Sequence, residues 1–193
     1  MDDQSWFNRI AVGVVVAVLL LGVALALSPS VPTPTRTVPA SATAGPTAYL
    51  NLTIGYNPTT GADDFSASHL VVPSHTRVVV TITNQDPEAS RLLVPWDNQV
   101  IGTYGGNELV STGNASYWVS AVAATDIGHT FTIHDALYNI SVPIPPAARL
   151  GSPTVVSFTL VLNWQETTNW GCVAECSAPG MAVDRMYGTL TVD

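Results

Sequence analysis

Apolar and polar residues alternate along short stretches of this chain from residue 49 onward. Tyr49-Leu-Asn-Leu-Thr-Ile54 alternates in the two-residue period of a half-buried strand. Arg77-Val-Val-Val-Thr-Ile-Thr83 and Thr154-Val-Val-Ser-Phe-Thr-Leu-Val161 are rich in β-branched residues, which suit a pleated surface. Ser116-Tyr-Trp-Val119, His129-Thr-Phe-Thr-Ile133 and Thr189-Leu-Thr-Val192 extend the pattern. Turn residues separate these runs, as in Asn84-Gln-Asp-Pro87, Gly105-Gly-Asn107 and Pro143-Ile-Pro-Pro146. No stretch after residue 48 carries the period of an amphipathic helix. Many short strands punctuated by turns predict an antiparallel β-sandwich or barrel. The interval from Glu88 to Gly128 is longer than a connection needs and predicts an extra hairpin, or a lid over one end of the sandwich.

The first part of the chain is patterned differently. Ile10 to Leu27 is an unbroken apolar run of 18 residues after Arg9. At about 1.5 Å per residue it spans a hydrocarbon core of roughly 30 Å. A retained transmembrane helix over 1–27 is favoured over a cleaved signal peptide, whose apolar region runs only about 7–15 residues. Residues 28–48 are Pro, Ser, Thr and Ala with little apolar bulk, the composition of a semi-extended tether. Residues 49–193 then form one domain. With Arg9 inside, that domain lies outside the cell membrane, anchored by a single pass.

Charge narrows the function classes. The formal net charge is −8, only 10% of residues are charged, and lysine is absent. There is no basic patch for nucleic acid, and a protein partner with a basic surface is the complementary expectation. The sequence contains no nucleophile elbow, no phosphate-binding glycine loop and no histidine pair at zinc spacing, so an enzyme acting on a small-molecule substrate is not expected. Asp63-Asp64 and Asp86 with Glu88 lie in turn-like contexts and read as solvated loop acids. Trp96, Trp118, Trp164 and Trp170 read as core or rim packing. Asn51, Asn114 and Asn139 each open an Asn-X-Ser/Thr triplet, which permits glycosylation of an exported surface.

The candidate chemistry lies near the C-terminus. Both cysteines and two of the three methionines fall between Cys172 and Met186. Soft thiolate and thioether ligands select copper, above all Cu(I). Four histidines are available, His69, His75, His129 and His134. Alternation puts His129 on the face of Phe131 and Ile133 and His134 on the other, so one site can use only one of them. His69 and His75 read as exposed. The competing reading of Cys172 and Cys176 is a disulfide, the default for two cysteines in an exported protein. Met181 and Met186 also suit core filling.

Val71 to Asn84, His129-Thr-Phe-Thr-Ile133, Val156-Ser-Phe-Thr-Leu160 and the loop from Trp170 to Val192 together resemble the cupredoxins, in particular the membrane-tethered sulfocyanin and rusticyanin-like group. The resemblance covers most of residues 49–193 and implies a Greek-key β-sandwich that carries electrons on copper. It maps one ligand to His129. It places the later ligands at Cys176, Met181 and Met186, with the family spacing kept and methionine in place of the second histidine. Cys172 and Cys176 also resemble the dinuclear copper-A loop of cytochrome c oxidase subunit II, which implies His129, Cys172, Cys176 and Met186. The implied activity is electron transfer to or from a respiratory partner. The alternatives are a Cu(I)-binding or chaperone protein without redox turnover, and a metal-free interaction module with a Cys172–Cys176 disulfide.

Overall fold

A computed structural model describes residues 46–59, 61–175 and 186–193. The expected anchor and tether before residue 46 lie outside the described residues, as do Cys176 and Met181. Among the described residues no helix is long and apolar enough to cross a membrane.

Eleven strands are described: β1 (Thr47–Asn57), β2 (Ala62–Phe65), β3 (His69–Val72), β4 (Arg77–Asn84), β5 (Glu108–Thr112), β6 (Ala115–Val119), β7 (His129–His134), β8 (Asn139–Ile144), β9 (Thr154–Val161), β10 (Glu166–Gly171) and β11 (Tyr187–Val192). The only helical element described is a 3-10 turn at Pro95–Asn98. Each strand read from alternation is present. β2, β3, β5, β8 and β10 are additional, being short or carrying polar and proline residues that blur the period.

The strands form two sheets. One has six strands in the order β2-β1-β4-β9-β5-β6 and the other five in the order β3-β11-β10-β7-β8. The expectation of a wholly antiparallel sandwich is corrected in two places, because β1 runs parallel to β4 and β3 runs parallel to β11. After β2 the chain crosses to the other sheet for β3 and returns for β4, and that crossover lays β4 beside β1 in the same direction. Strand pattern reports a buried face but not a neighbour's direction, so the sequence offered no sign of it.

Each sheet turns one face inward. Val78, Val80 and Ile82 of β4 pair with Leu160, Phe158 and Val156 of β9, and all six are buried. From the other sheet Phe131 stacks on Trp170 at 5.2 Å between centroids and meets Phe158 at 5.7 Å. Phe65 packs edge-on against Trp170 at 4.8 Å. Each such aromatic pair contributes about 0.5–1.5 kcal/mol beyond its burial. Trp170 is therefore core, whereas Trp96, Trp118 and Trp164 lie at the surface, each with well over half of its area exposed.

The long interval before β7 does two things. Its hairpin, β5–β6, pairs with β9 and widens the six-stranded sheet. Its earlier part runs over the outer face of the five-stranded sheet. There the Ser141 hydroxyl of β8 donates to the Asp97 carbonyl at 3.4 Å and His134 of β7 lies 3.3 Å from the Asp97 carboxylate, while Ile101 pairs with the outer edge of β8. The cover explains why Thr130 and Thr132, on the face of β7 away from the core, are also buried.

Candidate metal centre

His129 opens β7 and is fully buried. Its Nε2 lies 3.0 Å from Asp86 Oδ2, a hydrogen bond between two buried side chains. Its Nδ1 is buried with no hydrogen-bond partner among the described residues. Burying an unpaired imidazole nitrogen costs on the order of 1–3 kcal/mol, which makes it the conspicuous atom of this region.

Asp86 is corrected from a solvated loop acid to a built part of the site. It follows β4 in a tightly bonded turn. The backbone N–H of Asp86 donates to Asn84 Oδ1 at 3.0 Å, and that of Glu88 donates to Asp86 Oδ1 at 3.0 Å. The Ala147 N–H donates to the Asp86 carbonyl at 2.7 Å, and Asn84 Nδ2 donates to the Pro145 carbonyl at 2.9 Å. Gly128 lets this turn approach β7. A Cβ at residue 128 would lie 3.0 Å from the Glu88 carbonyl oxygen and 3.3 Å from the Pro146 Cα. Burial by itself would raise the Asp86 carboxyl, but hydrogen bonds from His129 and the Glu88 N–H, with the attraction of the imidazole, hold it below the ordinary carboxylate range. Asp63 of β2 completes a cluster in which one ligand atom from each of Asp63, Asp86 and His129 lies within 4.8 Å of the others. Burial, then repulsion from Asp86, pushes the Asp63 carboxyl up. Asp63 and Asp86 are the members that sequence reading missed. They are far from His129 in the chain, and no local pattern distinguishes them from turn acids.

Cys172 lies against β7 beside His129. The backbone N–H of Thr130 donates to Cys172 Sγ at 3.4 Å. The Val173 N–H donates to Thr130 Oγ1 at 2.8 Å, and the Cys172 N–H donates to the Met186 carbonyl at 2.8 Å. Cys172 is disulfide-bonded, and the chain has one other cysteine, Cys176. Met186 is buried directly before β11 and belongs to the core cluster. Gly171, opposite Tyr187, allows the close crossing of β10 and β11 here, since a Cβ at residue 171 would lie 3.0 Å from the Met186 carbonyl oxygen.

The other histidines lie elsewhere. His69 is exposed with Nδ1 2.7 Å from Thr189 Oγ1. His75 is exposed in a turn, at φ 53°. His134 faces away from His129, with its Nε2 3.3 Å from Oδ1 of the fully buried Asp97. Of the five expected ligands, the described residues thus include His129, Cys172 and Met186. The first two meet through Thr130 and the last two through a backbone hydrogen bond. Imidazole nitrogen, cysteine sulfur and thioether are donor types that suit soft-metal chemistry, whereas the ligand atoms that lie within 4.8 Å of one another among the described residues are those of Asp63, Asp86 and His129.

No protein-family model matches the chain, and none of the curated proteins matches its sequence. Among solved structures, the copper protein rusticyanin is similar at 16% identity over 77% of this chain and 79% of the other, with a TM-score of 0.41. Rusticyanin from Thiobacillus ferrooxidans gives 16% identity over the same shares, with a TM-score of 0.42. Auracyanin B gives 15% identity over 80% of this chain and 93% of the other, with a TM-score of 0.34.

Proposed function

We propose that this chain is a membrane-anchored, extracytoplasmic copper protein of cupredoxin type that passes single electrons to or from a respiratory partner. The observation that carries the reading is His129, a buried imidazole anchored at one nitrogen and unpaired at the other among the described residues, one residue from the Thr130 N–H that donates to Cys172 Sγ. His129, Cys172, Cys176 and Met186 would hold the metal, with Met181 as a further thioether. Copper, when bound, supplies a one-electron couple between Cu(II) and Cu(I).

The chain's own residues supply the rest. His129 opens β7 and Met186 directly precedes β11, so two hydrogen-bonded strands hold these side chains as the charge of the metal changes. Burial of both side chains keeps water from the donor atoms. Thr130 pins Cys172 by its N–H and Val173 by its hydroxyl. Cys172 can act as a thiolate ligand only after its disulfide is reduced, so copper loading requires the reduced chain. Leu93, exposed and with its N–H donating to the Val173 carbonyl at 3.2 Å, offers an apolar contact to a partner, with the net negative charge favouring a basic one.

Titration of the reduced full-length protein with Cu(II) tests the proposal. Thiolate-bound Cu(II) should give an intense visible band, a reversible one-electron wave should follow, and Cys176→Ser should abolish the colour. Retained colour and affinity in that variant would overturn the ligand set.

The disulfide on Cys172 favours a second reading, a metal-free interaction module. Mass spectrometry of the protein purified without reductant, read for thiol state and copper content together, separates the two. Copper bound at stoichiometry with free thiols supports the first reading. An intact disulfide that persists under mild reduction, with no copper taken up, supports the second.

A further inference from the structure

We infer that Asp86 is a positioning residue for His129, holding the imidazole as the Nε2–H tautomer so that Nδ1 is left as the donor atom. The inference rests on the copper reading only for what Nδ1 binds, because the tautomer is a property of the metal-free chain.

The geometry is built to hold one arrangement. Asp86 Oδ1 accepts the Glu88 N–H and Oδ2 faces His129 Nε2 at 3.0 Å. The Asp86 N–H and carbonyl are both used, by Asn84 and Ala147. The backbone of Asp86 is fixed, and its carboxylate cannot turn away without losing the hydrogen bonds to both the Glu88 N–H and His129. A lone pair on Nε2 would point at an acceptor oxygen 3.0 Å away, with Asp63 close behind, so this nitrogen carries the proton. Nδ1 then holds the lone pair, and it is the nitrogen with no partner among the described residues. A carboxylate behind a ligating imidazole fixes its tautomer and orientation and raises its basicity, and losing such a partner costs roughly 10–100-fold in metal affinity. In this chain the partner carries a full negative charge one hydrogen bond from the ligand. That charge favours Cu(II) and opposes the preference for Cu(I) that methionine ligands impose.

Long-range proton–nitrogen correlation spectra of the metal-free, full-length protein read the tautomer directly. Wild type should show a protonated Nε2 and an unprotonated Nδ1 at His129. Asp86→Ala should mix the tautomers and, in the copper-loaded protein, lower Cu(I) affinity roughly 10–100-fold in competition with a chelator. Asp86→Asn keeps an acceptor oxygen but removes the charge. Its single oxygen can serve either the Glu88 N–H or His129, so the Nε2 proton resonance should move upfield or the ring proton should pass to Nδ1, and the reduction potential should rise. If Asp86→Ala does not fold, the Asp86→Asn resonance decides, and an unmoved resonance overturns the inference. A proton on Nδ1 in the wild type also overturns it and points instead to a hard cation held by Asp63, Asp86 and Nε2. The expected tautomer in a protein that binds no copper would uphold the role of Asp86 and overturn the electron-transfer reading.

Discussion

The backbone N–H of Thr130 points at Cys172 Sγ from 3.4 Å, and the Thr130 side chain accepts the next residue's N–H at 2.8 Å. One residue of β7 thereby fastens the start of the sulfur-bearing loop next to His129. Thr132 donates a second hydrogen bond to the same hydroxyl at 3.0 Å. Thr130→Val keeps the shape of the side chain and removes the acceptor for both donors. The expected cost is about 1–3 kcal/mol, read from the urea midpoint, with faster hydrogen exchange at the Val173 amide. Thr191→Val, which breaks the exposed Thr167–Thr191 contact, should stay within about 0.5 kcal/mol. Equal effects of the two substitutions would refute a specific role for Thr130.

Gly128→Ala tests the close approach that brings the Asp86 turn to His129. The added methyl meets backbone atoms of Glu88 and Pro146 at 3.0 and 3.3 Å, neither of which is the far end of a flexible side chain. A loss of about 1–3 kcal/mol is expected from overpacking. The Nε2 proton of His129 should also exchange faster, because the turn that shields it is pushed outward. Unchanged stability and exchange would mean that the turn yields freely.

Glu108 imposes a pH dependence separate from the proposed metal centre. It is fully buried with neither carboxylate oxygen hydrogen-bonded among the described residues, and burial pushes its carboxyl up to about 9. The folded chain keeps this proton over a range where the unfolded chain, titrating near 4.5, has released it. The stability contributed by the group is therefore complete below the unfolded value and is lost as pH rises through the folded one. Unfolding free energy should fall between pH 5 and 8 by on the order of 1 kcal/mol per pH unit. Glu108→Gln should flatten that slope in denaturant titrations at the two pH values. The same slope in wild type and variant would assign the dependence to another group.

Met186 distinguishes packing from ligation. Its side chain is buried in the core, so Met186→Leu, close in volume, should cost less than about 1.5 kcal/mol. If the thioether also binds copper, as proposed, the same substitution should shift the visible spectrum and the reduction potential of the loaded protein. A copper-loaded variant with unaltered spectrum and potential would leave Met186 as core filler alone.

Strand positions were legible in the sequence because a strand's buried face depends on residues two apart. Leu52 with Ile54, Val78 with Val80 and Ile82, and Phe131 with Ile133 all turn inward as their spacing dictates. The same alternation separated His129 from His134, and clustered sulfur marked the loop after Cys172 as the place to look. What the pattern cannot carry is the identity of a neighbour across space. The parallel pairing of β1 with β4 follows from a crossover between sheets, and the burial of both faces of β7 follows from the cover laid over it. Asp86 reads as an ordinary turn acid until packing sets it 3.0 Å from an imidazole 43 positions away. Burial then turns that contact into the constraint on His129, since a desolvated carboxylate and imidazole must satisfy each other where water cannot.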